Sequence, residues 1–276
     1  SSKVLLDEHD IEGIQDLAKS QVEKGAVALN LNVGEGSEPE YFAEVIRAVQ
    51  SVVSVPLSFD SPDPAIQEVC LKAYDADLAN GAWPIMNSVT ELRWEMMDLL
   101  AIRPFKVVLM ASERDDGGSR EPNRTPEDVY RTAARMTERV LRETNDLTID
   151  DLIIDVSLGP VAADTEGLTR TAIDAVEMIG KDPALAGIHM SVGLSNISIM
   201  LPARATDGKL LKTRIESAFL TMGVPLGLDM VIGTAGRKYR MLPDDDLVMV
   251  GLREALQMGT FESIIRIQEL YAGVAA

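Results

Sequence analysis

Six side chains spaced along the 276 residues could share one kind of chemistry. They are Asn30 and Asn32 in ALNLNVG, Asp60 in PLSFDSPDP, Asn87 in PIMNSVT, Asp155 in LIIDVSLGP and Asn196 in GLSNIS, with Ser195 beside the last. Each stands at or just past the end of a short apolar, β-branched run. An amide donates and accepts hydrogen bonds, and a carboxylate can accept two donors as a pair. Gathered together, these groups would form a pocket for a neutral, planar heterocycle rich in donors and acceptors. Left buried without partners, each would cost about 1–3 kcal/mol, so they need one another or a ligand. Taken singly, Asp60 and Asn87 fit a turn or a helix cap equally well, because a helix start follows each.

Other chemistries find less support. GEGSEPE at 34–40 lacks the Lys-Ser/Thr ending of a phosphate-binding loop, and no Ser–His–Asp or Cys–His arrangement stands out. Cys70, His9 and His189 cannot make a cysteine–histidine zinc site, and a carboxylate-rich divalent-ion site has no spacing to support it, so no metal is expected. The single cysteine also excludes a disulfide framework within the chain and fits a reducing, cytoplasmic setting. A formal net charge of −18 argues against nucleic acid, whose binding needs clustered Lys and Arg. No apolar run is long enough for a membrane span.

The elements that must position the six residues follow from an alternation. Apolar runs at Val27–Asn32, Pro56–Asp60, Trp83–Asn87, Lys106–Met110, Leu152–Asp155, Gly187–Ser191 and Leu228–Ile232 read as strands. Between them, helical periodicity predicts helices at about 39–53, 64–77, 90–101, 126–144, 165–180, 207–223, 246–258 and 260–272. Ser61-Pro62-Asp63-Pro64 and Thr125-Pro126 place proline in a first helical turn. Repeated strand–helix units imply a parallel sheet, and seven strands in one series favour a single (β/α)8 TIM barrel domain over 1–276. Residues 1–24 read as helix, so the first strand of such a barrel is expected to be missing from this chain. In that fold the carboxyl ends of the strands form the functional face. Asn30 and Asn32 fall on one side of their strand by its period of two.

The segments GAVALNLNVG, PLSFDSPDPAIQEVCLKA, PIMNSVT, LIIDVSLGPVA, VGLSNIS and AFLTMGVPLGLDMVI resemble, in order and spacing, the methyltetrahydrofolate–corrinoid methyltransferases. These are pterin-binding TIM barrels related to the folate module of cobalamin-dependent methionine synthase. The resemblance runs from about residue 10 to about 235. It implies Asp60, Asn87 and Asp155 as pterin ligands; Asn30, Asn32 and Ser195, read from their places at strand ends, are expected in the same pocket. It implies Asn196 as the catalytic amide, hydrogen-bonded to the ring nitrogen that bears the methyl group, on a loop to which Gly193 would give freedom. Tetrahydrofolate or methyltetrahydrofolate is then the substrate, and the cobalamin arrives on a corrinoid-carrying partner protein. DEHDIEG at 7–13 only approximates the D-x-H-x-x-G signature of a corrinoid domain and reads as coincidence.

Two departures from the family are visible: its first-strand motif has no counterpart, and position 199 is Ile199 rather than polar. A homodimer is expected from the resemblance and from the apolar pattern of 246–272. Arg237, Lys238 and Arg240 could meet a folate glutamate tail or a partner's acidic rim, and a solvated loop fits equally. ASERDDGGSREPNR at 111–124 reads as a loop and lid candidate. Two further readings remain: a dihydropteroate synthase-like enzyme, for which the pyrophosphate-handling Lys and Arg are not evident, and a non-catalytic pterin- or corrinoid-protein-binding barrel.

Overall fold

A computed structural model describes residues 2–32 and 38–274, without the side chains of 2–4. The segment 33–37, which carries the glycines of GEGSEPE, lies outside the described residues. The strands are β1 (Leu29–Leu31), β2 (Leu57–Asp60), β3 (Ile85–Val89), β4 (Lys106–Met110), β5 (Glu113–Asp116), β6 (Ser119–Pro122), β7 (Leu152–Asp155), β8 (His189–Gly193) and β9 (Met230–Ile232). The helices are α1 (Ser2–Asp7), α2 (Ile11–Glu23), α3 (Pro39–Gln50), α4 (Pro64–Ala73), α5 (Pro126–Glu143), α6 (Leu168–Lys181), α7 (Lys212–Gly223), α8 (Leu247–Ala255) and α9 (Thr260–Glu269). The main sheet runs in the order β1-β2-β3-β4-β7-β8-β9. Its β1–β2, β2–β3, β3–β4 and β8–β9 pairs are parallel. Sequential parallel strands alternating with helices define the (β/α)8 TIM-barrel class. Helices α1 and α2 precede the first strand of this sheet, as the opening periodicity predicts. No helix among the described residues is long and apolar enough to cross a membrane.

The chain divides into two compact units, one of residues up to 109 with 140–153, the other of 110–139 with 154 onward. In the first, Leu57, Phe59, Met86, Ile46 and Leu71 are fully buried, and Phe59 meets Tyr74 edge-on at 6.0 Å. Proline opens α3 and α4, and Asp63 accepts from Ala65 N at 2.8 Å to cap α4. DEHDIEG spans the end of α1 and the start of α2, where Asp10 caps α2 by accepting from Gly13 N at 2.9 Å. His9 stacks on Tyr41 at 3.9 Å, so that motif is used structurally. Along β1, Leu29, Asn30, Leu31 and Asn32 line a cavity of about 150 Å³ closed by Ile14 and Leu17 of α2. In the second unit, Phe219 and Ile215 of α7, Val192 of β8 and Met136 of α5 are buried almost completely.

Two predicted elements differ from what is found. Residues 91–101 form a 3-10 segment rather than an α-helix, kinked where Arg93 takes φ −125°, ψ 40°. The 111–124 stretch is an antiparallel hairpin, β5–β6, turning through Gly117 and Gly118 at positive φ.

Cys70 on α4 is buried, and burial pushes its thiol up to about 12. Burial likewise pushes the Tyr74 phenol up to about 12, against the opposing field of Arg103. The fold favours the protonated form of both groups. Their contribution is complete below the ordinary values of 9.0 and 10.0, and is lost as pH rises toward about 12. Cys70 should therefore resist a thiol-directed reagent at about pH 8 in the folded protein and react fully in denaturant. Intact-mass measurement of the adduct checks this, and labelling of the native protein at the denatured rate would refute it.

Candidate functional site

In the first unit the strand-end residues meet. Registers Asn30↔Ser58 and Asp60↔Asn87 put these four side chains on one face of the sheet, because parallel partners point the same way. Asn30 Nδ2 donates to Asp60 Oδ2 at 3.0 Å, while Asn30 Oδ1 accepts from Ser58 Oγ at 2.9 Å and from Asn87 Nδ2 at 3.5 Å. Ser58 and Asn87 are buried, at 5% exposure each, so these bonds satisfy groups that water does not reach. Behind them, fully buried Gln67 of α4 donates through Nε2 to Phe59 O at 2.7 Å, Ser61 O at 3.0 Å and Asn87 O at 3.2 Å. One amide thus ties the carboxyl ends of β2 and β3 together. Asn32 stands one residue past β1 and lines the same cavity as Asn30.

In the second unit Asp155 ends β7. Its Oδ1 accepts from Ser157 N at 2.7 Å, across a bend in which Ser157 takes φ 65°. Strand β8 ends at Gly193 and passes into a 3-10 turn, Leu194–Ser198. Ser195 Oγ lies 3.3 Å from Thr234 Oγ1, and Asn196 is exposed. Gly193 joins β8 to this turn. Its φ of −74° and ψ of 82° lie outside the left-handed region that calls for glycine. What it provides is room, since a Cβ at 193 would sit 2.9 Å from Asn196 Nδ2.

The first unit therefore assembles Asn30, Asp60 and Asn87, and the second holds Asp155, Ser195 and Asn196 at the ends of β7 and β8. Among the described residues no group of three or more His, Cys, Asp and Glu side chains could hold a metal ion.

The chain matches the family described as pterin binding enzyme over residues 2–233. It belongs to the pterin-binding enzymes. A curated relative, the methylcorrinoid:tetrahydrofolate methyltransferase of Eubacterium limosum, is 27% identical over 246 residues, covering 83% of this chain and 79% of that protein.

In this pterin-binding enzyme, sequence reasoning passed over Ser58 and Glu216, which hydrogen-bond beside the predicted residues. Ser58 carried a readable signal, standing two positions before Asp60 on the same strand face. Glu216 of α7 did not, because an acidic residue within a helix usually marks a solvated face. Its side chain has no exposed surface, and its Oε1 accepts from Ser198 Oγ at 2.6 Å and from the Arg237 guanidinium. Arg237 is thus committed to an internal carboxylate. Drawing it away to bind a ligand's anion would strand a buried charge, a loss of several kcal/mol. Tyr239 of the same 233–240 segment accepts Thr234 N–H at 3.1 Å. Burial first, and then the facing Glu216 carboxylate, raise the Tyr239 phenol above its usual 10.0.

Proposed function

We propose that this pterin-binding enzyme transfers a methyl group between tetrahydrofolate and a corrinoid carried by a partner protein, acting as one pterin-binding domain. The observation that carries the reading is the Asn30–Asp60–Asn87 network at adjacent strand ends. These side chains present the mixed donors and acceptors that a pterin edge requires. The name of the Eubacterium limosum relative supports the choice of reaction.

The residues fit the substrate by their chemistry. Asn30 donates to one oxygen of Asp60, and a carboxylate has capacity for further donors, so the amino and ring N–H groups of a pterin can be accepted. Asn87 adds an amide able to donate and accept, and Asp155 a second carboxylate. Asn196 is assigned to the ring nitrogen that carries the methyl group. When that nitrogen gives up its methyl, it becomes an amide-like anion unless it receives a proton or a hydrogen bond. A donor held there that bonds more strongly in the transition state lowers the barrier. In the reverse direction the same amide orients the unmethylated nitrogen as nucleophile. The corrinoid supplies the cobalt that gives or receives the methyl group.

The test mixes the protein with methylcobalamin and tetrahydrofolate and follows loss of the methyl–cobalt absorbance with appearance of methyltetrahydrofolate. Absence of transfer in both directions would overturn the reading. Asn87→Ala and Asp155→Ala should raise the tetrahydrofolate dissociation constant. An ordinary hydrogen bond to a neutral ring is worth about 0.5–1.5 kcal/mol, and a carboxylate partner more. Calorimetric affinities unchanged in both variants, with the fold intact, would remove the pterin pocket.

A homodimer is part of the same proposal. Phe261 and Ile265, four residues apart on α9, are 74% and 56% exposed, and Met258 before them is 42% exposed. An apolar stripe at helical spacing suits burial against a second copy. Sedimentation should give twice the chain mass at micromolar concentration, and Phe261→Glu should return it to one chain. A monomeric wild type would sink this part.

A further inference from the structure

Behind the Asn196 turn lies a charge cluster that is not among the proposed pterin contacts. Glu216 is wholly buried, and a carboxylate is costly to bury unless paired and hydrogen-bonded. Here one oxygen, Oε1, serves two loops. It accepts Ser198 Oγ at 2.6 Å from the turn after β8, and the Arg237 guanidinium from the segment after β9. Ser198 closes the turn that carries Asn196, and its Oγ also reaches Ser195 O at 3.2 Å. The segment after β9 is fastened beside it: Ser195 Oγ lies 3.3 Å from Thr234 Oγ1, and Arg240 N donates to Ser217 Oγ of α7 at 3.3 Å.

Among the described residues nothing hydrogen-bonds the Asn196 amide itself. Its direction must come from the backbone of the turn and from the space left by Gly193. The backbone of the turn, in turn, is held to the helix behind it through Ser198.

We infer that Glu216 is a positioning residue: by holding Ser198 and Arg237 on one buried carboxylate oxygen, it fixes the turn that aims Asn196. It touches no reacting atom and acts through the turn. The rate arm of the test rests on the proposed methyl transfer, whereas the spectroscopic arm does not.

Glu216→Gln keeps the shape and removes the charge that holds both partners. The Asn196 side-chain amide signal, assigned by its disappearance in Asn196→Ala, is followed by ¹⁵N–¹H NMR in the wild type and Glu216→Gln. It should shift or broaden in the variant. Single-turnover transfer from methylcobalamin to saturating tetrahydrofolate should slow about tenfold, while the tetrahydrofolate dissociation constant stays within about threefold. In an Asn196→Ala background Glu216→Gln should slow the reaction no further, since residues acting as one unit are non-additive. An unmoved Asn196 signal overturns the inference, as does a rate loss that persists in full without Asn196 or is matched by an equal loss of affinity. If Glu216→Gln does not fold, Ser198→Ala cuts the same link while leaving the Glu216–Arg237 pair, and the same readings apply. If the wild type transfers no methyl group, the proposed function falls and the amide signal alone decides the role of Glu216.

Discussion

Asn196→Ala is expected to slow methyl transfer at saturating tetrahydrofolate by about 10²–10³-fold, the usual loss when one preorganised donor at a site of developing charge is removed. Its effect on tetrahydrofolate affinity should be far smaller, near that of one ordinary hydrogen bond, about 0.5–1.5 kcal/mol. The split arises because the amide bonds most strongly to the ring nitrogen in the transition state, and only that difference appears in the rate. The side chain is exposed and its amide is unbonded among the described residues, so removing it should leave the fold's stability nearly unchanged. Gly193→Ala tests the same amide without altering it. The added methyl would lie 2.9 Å from Asn196 Nδ2, and the amide, as the movable end of a short side chain, must swing away. A backbone at φ −74° accepts alanine, so this variant should fold and bind tetrahydrofolate while losing part of the rate. Single-turnover absorbance beside calorimetry separates the outcomes. A near-normal rate with weakened binding in Asn196→Ala would reduce the residue to a shaper of the loop.

What the sequence made legible has a physical pattern. Strands and their polar ends could be read because a β-branched run with a terminal amide or carboxylate is a local signal. LSFD and LIID needed no partner to be recognised, and both strands end on the expected residue. The 111–124 hairpin was missed because it lacks the apolar alternation that marks a half-buried strand. It is held by polar links instead, Arg120 to Glu113 across the pair and Asp115 Oδ1 accepting Gly118 N at 2.6 Å in the turn. The Asp116-Gly117-Gly118 run was the available hint, since both glycines adopt the positive φ that tight hairpins demand. Glu216 and Arg237 could not be paired from sequence, being 21 positions apart and on different elements. Gly193 could be recognised as significant without its geometry, because close approach of a side chain and backbone freedom leave the same residue in the sequence.

Arg214→Met is expected to destabilise the fold by about 3–5 kcal/mol near neutral pH, the range seen when one partner of a buried ion pair is removed. Arg214 lies in the first turn of α7 with only 7% of its side chain exposed. Its Nη1 donates to both oxygens of Asp207, at 3.0 and 2.9 Å, and its Nη2 to both oxygens of Asp246, at 3.0 Å each. Asp246 meanwhile caps α8 by accepting from Val248 N at 2.9 Å and Met249 N at 3.3 Å. One guanidinium thus secures the loop before α7 and the start of α8, and methionine would leave two carboxylates without their cation. The pH dependence gives the mechanism a signature. Burial pushes the Asp207 carboxyl up, but the Lys209 N–H and the Arg214 charge outweigh it and hold the group below its ordinary 3.8. Stability from such a group is present above its ordinary value and is lost as pH falls through the lower folded-state value. In the variant, protonation instead relieves the stranded carboxylates. The stability gap between wild type and Arg214→Met should therefore be widest near neutrality and narrow as pH falls below about 4. Arg214→Lys should recover only part of the loss, because one ammonium cannot engage two carboxylates in paired fashion. Denaturant melts across this pH range decide it, and a neutral-pH loss under about 1 kcal/mol, or a gap indifferent to pH, would refute this account of Arg214.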